Sequence, residues 1–163
     1  MRVMKRNHRF SSLALILVTV ALTLFGCNRK TIYSHYEPTP LSGWEKNDTL
    51  SFAISQLMKE GNYLEQVGMR VNADYPFKSI TIIVQQHTCS ARIIRTDTLH
   101  AQLMDQEGNV LGNGINILQY QFPLATVQLL PDDTLFVSIR HGMKREILPG
   151  ISDIGVSLTL QDK

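Results

Sequence analysis

The sequence is short of cysteine, of aromatic residues and of any excess of basic residues. Its two cysteines, Cys27 and Cys89, allow at most one disulfide within the chain of 163 residues. Aromatic residues make up 7% of the chain and only one is tryptophan, which is few for a site that stacks sugars on rings. Sixteen basic residues against 14 acidic ones leave no basic patch for nucleic acid. Composition therefore excludes nucleic-acid binding and disfavours carbohydrate binding.

Sequence motifs of catalysis are also missing. The chain has no Gly-x-Ser-x-Gly, no His-Glu-x-x-His and no glycine-rich phosphate loop. Its histidines do not follow the spacing of metal ligands, and Gly112-Asn113-Gly114 is too short to cradle a phosphate. We therefore expect a non-enzymatic protein with no catalytic residue, no metal site and no cofactor. A pocket that brought His100 or His141 to a carboxylate would instead favour an enzyme.

No apolar run is long enough to cross a membrane. Residues 1–9 carry four basic and no acidic residues, and Leu13–Phe25 is a run of thirteen apolar or threonine residues. A spanning helix needs about 20 such residues, whereas the apolar part of a signal peptide needs roughly 7–15. Residues 1–26 are therefore predicted to be a signal peptide that is removed from the mature protein.

Cys27 directly follows this apolar run. The sequence Leu24-Phe25-Gly26-Cys27 resembles the bacterial lipobox, in which the cysteine becomes the first mature residue and its sulfur receives a diacylglycerol. We expect Cys27 to carry two or three fatty-acid chains, such as palmitate; the alternatives are an ordinary secretory signal and an uncleaved anchor. A single chain would give only marginal membrane binding, whereas two or three would anchor the protein permanently. Cys89 is then an odd thiol, which has no function, forms an intermolecular disulfide or shares a metal contact with His87.

The residues after Cys27 predict a flexible tether. Residues 28–43 contain two prolines and no clear period, so residues 27–43 are assigned to the lipidated cysteine and a tether. Sixteen extended residues reach on the order of 50 Å. Acid-rich segments at this place mark surface-exposed lipoproteins in some bacteria, and here no acidic residue directly follows the cysteine. We therefore expect an outer-membrane anchor with the folded domain facing the periplasm of the cell envelope.

The rest of the chain, residues 44–163, alternates apolar and polar residues as half-buried strands do. Leu50, Phe52 and Ile54 form the first such run. The further runs are Tyr63–Val71, Ile80–Val84, Leu99–Leu103, Leu135–Ile139 and Ile154–Leu160, with weaker ones at Arg92–Thr96 and Ala125–Leu129. We predict an all-β fold, a single antiparallel β-sandwich of about seven or eight strands, with Trp44 closing one end of its core.

The triplet Asp-Thr-Leu occurs three times in this region. Its copies are Asp48-Thr49-Leu50, Asp97-Thr98-Leu99 and Asp133-Thr134-Leu135. In one interpretation each copy opens a strand, because Asp closes a turn, Thr favours the pleat and Leu begins the buried face. In the other, the triplet resembles the O-glycosylation acceptor of some bacteria on exported proteins. The candidate acceptors are then Thr49, Thr98 and Thr134, and the two interpretations do not exclude each other.

Three segments together resemble one known family. Residues 139–158 contain Met143-Lys144, Leu148-Pro149-Gly150-Ile151 and Asp153-Ile154-Gly155, in the order of the C-terminal signature of the gliding motility lipoprotein GldH family. The segment from Trp44 is similar to the family's Trp-x-x-x-Asp-x-Leu-x-Phe, and Arg70–Phe77 to its Asp-Tyr-Pro-aromatic turn. The tip at His87–Arg92 departs from the family, so the resemblance gives Cys89 no role.

The resemblance implies a cell-envelope lipoprotein of gliding bacteria and their non-gliding relatives. Members are needed for gliding motility and work with other envelope lipoproteins, connected to the type IX secretion machinery. No catalytic residue is established for the family, so none is carried over. The implied function is a protein–protein surface in a motility or secretion assembly, with a membrane contact through the lipid anchor. The alternative is a glycan-binding lipoprotein, which an exposed row of Tyr75, Phe77 and Tyr120 would support.

The connection from Met143 to Asp153 is the candidate contact region for a protein partner. It is longer than folding requires and runs from basic to apolar residues, and interfaces favour arginine and methionine. The candidate contact residues are Met143, Lys144, Leu148, Pro149, Gly150, Ile151 and Asp153. The alternative interpretation is that Leu148–Ile151 merely packs over an open end of the sandwich.

Overall fold

The structure is a computed structural model that describes residues 31–55, 59–89 and 94–161. The strands in chain order are β1 (Thr31–Pro38), β2 (Trp44–Glu45), β3 (Leu50–Ile54), β4 (Gly61–Val71), β5 (Ser79–Thr88), β6 (Ile94–Gln102), β7 (Leu118–Leu129), β8 (Leu135–His141), β9 (Ile147–Leu148) and β10 (Ile151–Leu160). Over these ranges, no helix has the length and apolar character needed to span a bilayer.

The strands form two four-stranded sheets and a short ribbon. The sheets have the orders β1-β10-β4-β7 and β3-β8-β5-β6, and every neighbouring pair is antiparallel. The ribbon pairs β2 with β9. The predicted all-β antiparallel fold is therefore confirmed. The described ranges contain ten strands rather than seven or eight, because β1, β2 and β9 have no alternating pattern that predicts them.

The core lies between the two large sheets, where alternation places every second side chain of each strand. On β4, Tyr63, Val67 and Met69 are at most 1% exposed. Ile82 on β5 and Val137 on β8 are fully buried in the opposite sheet. Each fully buried aliphatic side chain of this size stabilises the fold by about 1.5–3 kcal/mol. The pattern read from the sequence thus corresponds to the buried faces of these strands.

Residues 31–38 form strand β1, so the predicted tether is wrong for this segment. β1 pairs with β10 along its whole length, from Thr31 opposite Thr159 to Pro38 opposite Asp153. The Tyr36 ring occupies the space that a side chain at Gly68 or Gly155 would take, which holds β1 against the sheet. Because β1 is an edge strand with mostly exposed residues, its sequence shows no alternation.

The strands run between two ends of the sandwich. At the distal end the chain passes between strands through residues 39–49, 72–78, 103–117 and 142–150. At the terminal end lie the strand ends Thr31, Ile54, Gly61, Thr88, Ile94, Leu129, Leu135 and Leu160. The first strand begins and the last strand finishes at the terminal end, so the distal end is the part of the domain farthest from Thr31.

Candidate functional site

The three segments of the family resemblance meet at the distal end. Trp44 of the first segment pairs with Leu148 of the last in the β2–β9 ribbon, and both side chains are fully buried. The Trp44 indole N–H donates to the carbonyl of Asp48 at 3.1 Å, so its polar edge is satisfied. The ribbon therefore covers this end of the core, and Trp44 is buried there as predicted.

The second segment contacts the last one through Gly150. Gly150 has a φ of +79°, and a Cβ there would lie 2.2 Å from the backbone nitrogen of Tyr75. Its carbonyl accepts the N–H of Asn72 at 2.8 Å. The Tyr75 hydroxyl donates to the carbonyl of Ser79 at 3.0 Å. The Leu-Pro-Gly-Ile sequence thus docks onto the Asp-Tyr-Pro turn through backbone contacts that a larger residue would prevent.

A polar contact on the outer face of the first sheet joins the same segments. The Arg70 guanidinium lies 3.9 Å from the Asp153 carboxylate and its carbon lies 4.2 Å from the centre of the Tyr36 ring. The two side chains of the ion pair are 39% and 24% exposed, so the pair contributes at most about 1 kcal/mol. Its main effect is to order three strands, β4, β10 and β1, relative to one another.

The predicted contact residues divide into buried and exposed groups. Leu148 and Ile151 belong to the core, at 0% and 4% exposure. The partly buried members are Met143, Pro149, Gly150 and Asp153. Lys144 is exposed, and so are the three residues that follow it. Packing therefore explains Leu148–Ile151, and residues 144–147 are the part of the connection that a partner could reach.

A buried histidine lies beneath the ribbon. His141 is 0% exposed, and its ring meets the Trp44 ring edge-on with 5.3 Å between centroids. Neither ring nitrogen has a hydrogen-bond partner. Burial lowers the pKa of His141, so the ring is neutral in the folded protein. Backbone groups of Trp44 and Glu146 and the charge of Glu146 partly oppose this shift, whereas the charge of Lys46 adds to it.

Large apolar side chains are exposed mainly at the distal end. Leu41 and Ile115 are fully or almost fully exposed, at 108% and 96% of the reference area. Val110, Leu111, Ile117 and Ile147 are between 43% and 55% exposed. Across the described ranges, these six are joined at the terminal end by only Ile32 and Leu130. Exposed apolar groups concentrated in one region are typical of a protein-binding surface.

Only one of the two cysteines lies within the described residues. Cys27 lies outside the described residues, and its lipidation stays a prediction. Cys89 is exposed on the turn that follows β5, where a hairpin tip was predicted, and it forms no disulfide within the described part of the chain. The neighbouring His87 ring stacks on Phe136 at 4.9 Å. Within the same ranges, no three His, Cys, Asp or Glu side chains are grouped so as to hold a metal.

The three Asp-Thr-Leu copies have different structures. Leu50 and Leu135 begin β3 and β8, as predicted. The remaining copy, Asp97-Thr98-Leu99, lies within β6, so the prediction that it opens a strand is wrong. The two apolar runs on either side of Asp97 are parts of one strand, because Asp97 pairs with Val84 in the middle of the ladder.

The candidate glycosylation residues are reachable to different degrees. Thr49 and Thr98 are exposed. Thr134 is partly buried, and its backbone N–H donates to the Asp133 carboxylate at 3.0 Å. Thr49 and Thr98 therefore present the more accessible hydroxyls. Their modification stays a prediction.

The aromatic row that would support glycan binding is not on the surface. Tyr75 and Tyr120 are 7% and 5% exposed, and the Tyr120 hydroxyl donates to the carbonyl of Leu103 at 3.2 Å. Phe77 is partly buried and packs edge-on against Tyr75. These rings fill the distal end of the core instead of forming a platform for a sugar.

A buried carboxylate near the terminal end is the feature that sequence reasoning missed. Glu65 on β4 is 0% exposed, and neither of its oxygens has a hydrogen-bond partner. Burial raises its pKa to about 7; the Gln86 amide and the Arg95 guanidinium lower it, and Asp97 raises it further. The signal was available, since Glu65 has the same parity as Tyr63 and Val67 in an inward-facing run.

A cavity of about 410 Å³ opens at the terminal end, and Glu65 is not among the residues that line it. Its lining residues are Gln86, His87, Thr88, Arg95, Thr126, Val127, Gln128, Leu129, Leu130, Asp133 and Leu135. Arg95 is held by Asp97, with Nε 2.7 Å from one carboxylate oxygen and Nη2 3.0 Å from the other. None of the three family-like segments contributes to this lining.

Comparison with known proteins gives the same assignment as the distal segments. A model of the GldH lipoprotein family matches residues 31–158. The chain belongs to the GldH lipoprotein family. The gliding motility lipoprotein GldH of Flavobacterium johnsoniae is 27% identical over 154 residues, which cover 90% of this chain and 96% of the relative. The matched range begins with β1, in agreement with a folded domain that starts at Thr31 or before it.

Solved structures offer only distant likenesses to this GldH-family domain. A family GH115 4-O-methyl-α-glucuronidase has a TM-score of 0.44 at 14% identity, over 83% of this chain and 18% of the enzyme. Eiger TNF from S. frugiperda has a TM-score of 0.34 at 14% identity, over 83% of this chain and 96% of that protein. TM-scores this low do not establish a common topology.

Proposed function

We propose that this chain is a lipid-anchored envelope protein that acts in gliding motility, or in the secretion assembly associated with it, by presenting its distal end to another envelope protein. Membership of the GldH lipoprotein family over residues 31–158 is the observation that carries the proposal. The relative from Flavobacterium johnsoniae is a gliding motility lipoprotein. The proposal assigns no reaction to the chain.

The anchor sets the orientation of the domain in this proposal. Cys27 precedes Thr31 by four residues, and four extended residues span about 13 Å. A lipid on Cys27 therefore holds the terminal end close to the bilayer. Strands of 10–12 residues, such as β7 and β10, rise about 3.3 Å per residue, so the distal end stands roughly 35 Å farther out. We assign the anchor to the outer membrane and the domain to its periplasmic side.

The exposed part of the contact region has suitable chemistry for a protein partner. Lys144 and Arg145 are exposed beside Ile147, which is 43% exposed, and the exposed Glu146 between them lies 3.7 Å from Lys46. Basic groups around exposed apolar side chains fit a partner with an apolar patch and an acidic rim. Leu148 and Ile151 support this surface from inside the core and are not themselves part of it.

Crosslinking in intact cells tests the contact region. The double variant Lys144→Ser with Ile147→Ser removes a charge and an apolar group from the surface, and Ile32→Ser at the terminal end is the matched control, since Ile32 is 47% exposed. We expect the double variant to lose a crosslinked envelope protein that the control retains, with the melting temperature unchanged. Retention of the same crosslinked proteins by the double variant would exclude this surface.

Mass spectrometry of the purified mature protein tests the anchor independently. We expect an N-terminal Cys27 that carries a diacylglycerol and an additional fatty acid such as palmitate. A Cys27→Ser variant should remain unprocessed and leave the outer-membrane fraction. A mature protein with a free amino terminus at another residue and no fatty-acid mass would contradict the anchor.

A further inference from the structure

Strand β7 is an edge strand that lacks the usual protection against pairing. It has twelve residues, and in the described part of the chain no strand pairs with its side away from β4. Edge strands are commonly short or charged, because their unpaired N–H and C=O groups can pair with another chain. Here β3 has only five residues, and β1 and β6 carry charges such as Glu37 and Arg95. Residues 108–131, which include β7, contain no Asp, Glu, Lys, Arg or His.

The same uncharged segment contains most of the exposed large apolar side chains. Among the residues that the structure describes there are eight such side chains, and five of them lie within residues 108–131: Val110, Leu111, Ile115, Ile117 and Leu130. Four of the five precede β7 and one follows it, so apolar groups flank both ends of this edge. Exposed apolar groups concentrated in this way are typical of an interaction surface.

One residue already pairs with the distal part of this edge as a neighbouring strand would. Gln119 exchanges both of its backbone hydrogen bonds with Asn113, at 2.8 and 3.0 Å. The N–H and C=O of Gln119 therefore point away from β4. Residues two apart on an antiparallel strand point to the same side, so the N–H and C=O of Gln121 also face the free edge. Asn113 thus occupies the place where an added strand would begin.

The terminal half of β7 also directs backbone groups away from β4. The C=O of Asn62 accepts the N–H of Gln161 on the β10 side of β4. Gln128 lies opposite Asn62, so its N–H and C=O face the free edge, and Thr126, two residues earlier, does the same. Pro123 separates the two halves, and proline is found in sheets where its missing N–H would face outward. The terminal half therefore offers two further pairing positions.

A cavity lies beside each half of this edge. The distal cavity, of about 450 Å³, is lined by Asn113, Gly114, Gln119, Tyr120 and Gln121. The terminal cavity, of about 410 Å³, has residues 126–130 in its lining. From Gln121 to Gln128 an extended strand spans roughly 23 Å, which is longer than a small ligand. When a strand is added to a sheet edge, its alternate side chains enter pockets of this kind.

The chemistry of the edge fits an uncharged, extended polypeptide. Its backbone N–H and C=O groups are matched by those of another backbone. A charged side chain placed against residues 108–131 would lose water without meeting an opposite charge. Across the terminal cavity, Arg95 is already paired with Asp97 at 2.7 Å. A second copy of this chain does not fit the proposed anchor, because antiparallel pairing of β7 with itself would turn one terminal end away from the bilayer.

We propose that the free edge of β7 binds an extended, uncharged segment of another polypeptide by strand addition, with side chains of that segment in the two cavities. The added segment continues from Asn113 and pairs with Gln121, Thr126 and Gln128. It converts the sheet β1-β10-β4-β7 into a five-stranded one. This surface runs along one side of the sandwich and does not include residues 144–147 of the proposed distal contact.

Amide hydrogen exchange, followed by NMR on the purified mature protein, tests whether the edge is open. We expect fast exchange at Gln121, Thr126 and Gln128, and exchange at least about 10-fold slower at Tyr120 and Val127, which face β4. Slow exchange at all five positions in a monomeric protein would mean that another part of this chain covers the edge, and would overturn the proposal. Slow exchange that depends on protein concentration would replace the partner with a second copy.

Photocrosslinking in intact cells, with p-benzoylphenylalanine in place of Gln128, identifies the partner. We expect a crosslink to another envelope protein, at a segment of about seven residues that sequencing shows to be uncharged. The double variant Lys144→Ser with Ile147→Ser should retain this crosslink, so a failure of the proposed distal contact is distinguished from a failure at the edge. No crosslink, or a crosslink to a charged or helical segment, would overturn the proposal.

Proline variants and a synthetic peptide of the crosslinked segment test the backbone pairing. Gln121→Pro and Thr126→Pro each remove one outward N–H, and each should weaken peptide binding roughly 5-fold, the equivalent of one backbone hydrogen bond. Gln121→Ala and Thr126→Ala keep the N–H and should bind within about 2-fold of the parent. Slow exchange at Tyr120 and Val127 verifies that each variant keeps its sheet. Equal binding by the proline and alanine variants would contradict strand addition.

Discussion

At the distal end, three chain segments that are far apart in sequence close the core with aromatic and aliphatic side chains. Toward the terminal end, the core instead contains a buried carboxylate, and the surface has an open cavity. Trp44, Leu148 and Gly150 close the distal end through contacts that allow little change in side-chain size. Glu65 occupies the interior near the terminal end with unpartnered oxygens. The first arrangement is what packing requires, and the second is what packing avoids.

The contrast shows what the family-like segments report. The most buried residues of these segments lie where separate parts of the backbone pack together. The family-like sequence therefore reflects, at these residues, the packing that closes the distal end of the core. The chemically unusual group lies outside the pattern, at the other end of the molecule. A search for binding chemistry in this domain therefore has to go beyond the segments by which the family is recognised.

The largest effect is expected from Gly150→Ala at the distal end. Gly150 has a φ of +79°, and its new Cβ would lie 2.2 Å from the Tyr75 backbone nitrogen, so both backbone strain and overlap oppose the change. We expect a loss of roughly 4 kcal/mol in the free energy of unfolding, measured by urea denaturation. The control is Gly108→Ala, whose φ is +91° with no atom within 4 Å, and it should cost about 1 kcal/mol. Similar losses of unfolding free energy for the two variants would mean that the distal end can repack around a larger residue at position 150.

The next largest effect is expected from Glu65→Gln and should stabilise the protein at alkaline pH. Burial raises the pKa of Glu65 to about 7, above its ordinary value of 4.5, so its contribution to stability is complete below pH 4.5 and is lost as the pH rises through 7. Gln cannot ionise, and the variant should be more stable than the parent by about 3 kcal/mol at pH 8 and equal to it at pH 4. Denaturation at both pH values measures this, and a constant difference would show that ionisation is not the cause.

A smaller effect is expected from His141→Phe, and it should appear at acid pH rather than at alkaline pH. Burial lowers the pKa of His141 below its ordinary value of 6.5, so its contribution is present above pH 6.5 and is lost as the pH falls. In the Glu65→Gln background, a chain with His141 should lose at most about 1.4 kcal/mol per pH unit below 6.5. The His141→Phe chain should lose less over pH 6.5–5, because Phe binds no proton. Parallel curves for the two chains would exclude His141 as the acid-sensitive group.

The smallest effect is expected from the exposed charges of the distal end. Lys46 lies 3.7 Å from Glu146, with side chains 36% and 76% exposed. Removal of this pair by Lys46→Ala should change the free energy of unfolding by less than about 0.5 kcal/mol at low salt, and the change should shrink at high salt because exposed charges are screened. The same denaturation experiment at low and high ionic strength measures it. A loss above about 1 kcal/mol in the free energy of unfolding would mean that ion pairs, and not packing alone, stabilise the distal end.

Much of the sandwich could be predicted, because alternation reports directly which face of a strand is buried. The runs at Leu50–Ile54, Tyr63–Val71 and Leu135–Ile139 correspond to β3, β4 and β8. Strand β1 could not be predicted in this way. It lies at a sheet edge, and its neighbours Gly68 and Gly155, not its own pattern, provide the place where Tyr36 docks.

The candidate sites were less predictable, for two reasons. Exposure of residues 144–147 and burial of Leu148 and Ile151 depend on the ribbon with β2, a pairing of residues about one hundred positions apart. Glu65 has the correct parity for an inward residue, but a charged residue in an apolar run reads as an interruption of the pattern. Its position in the core is decided by strands of the opposite sheet, whose inward polar residues Gln86 and Asp97 affect its pKa.

The antiparallel pairing of the first and last strands has a mechanical consequence. If Cys27 carries the proposed lipid and the distal end binds the proposed partner, tension between them would pull Thr31 toward the bilayer and Ile151 the opposite way. β1 and β10 would then slide along their common axis, and the backbone bonds between Thr31 and Pro38 would share the load at once. In such a shear arrangement many backbone bonds resist at once, whereas a hairpin unzipped from one end loses its bonds one after another.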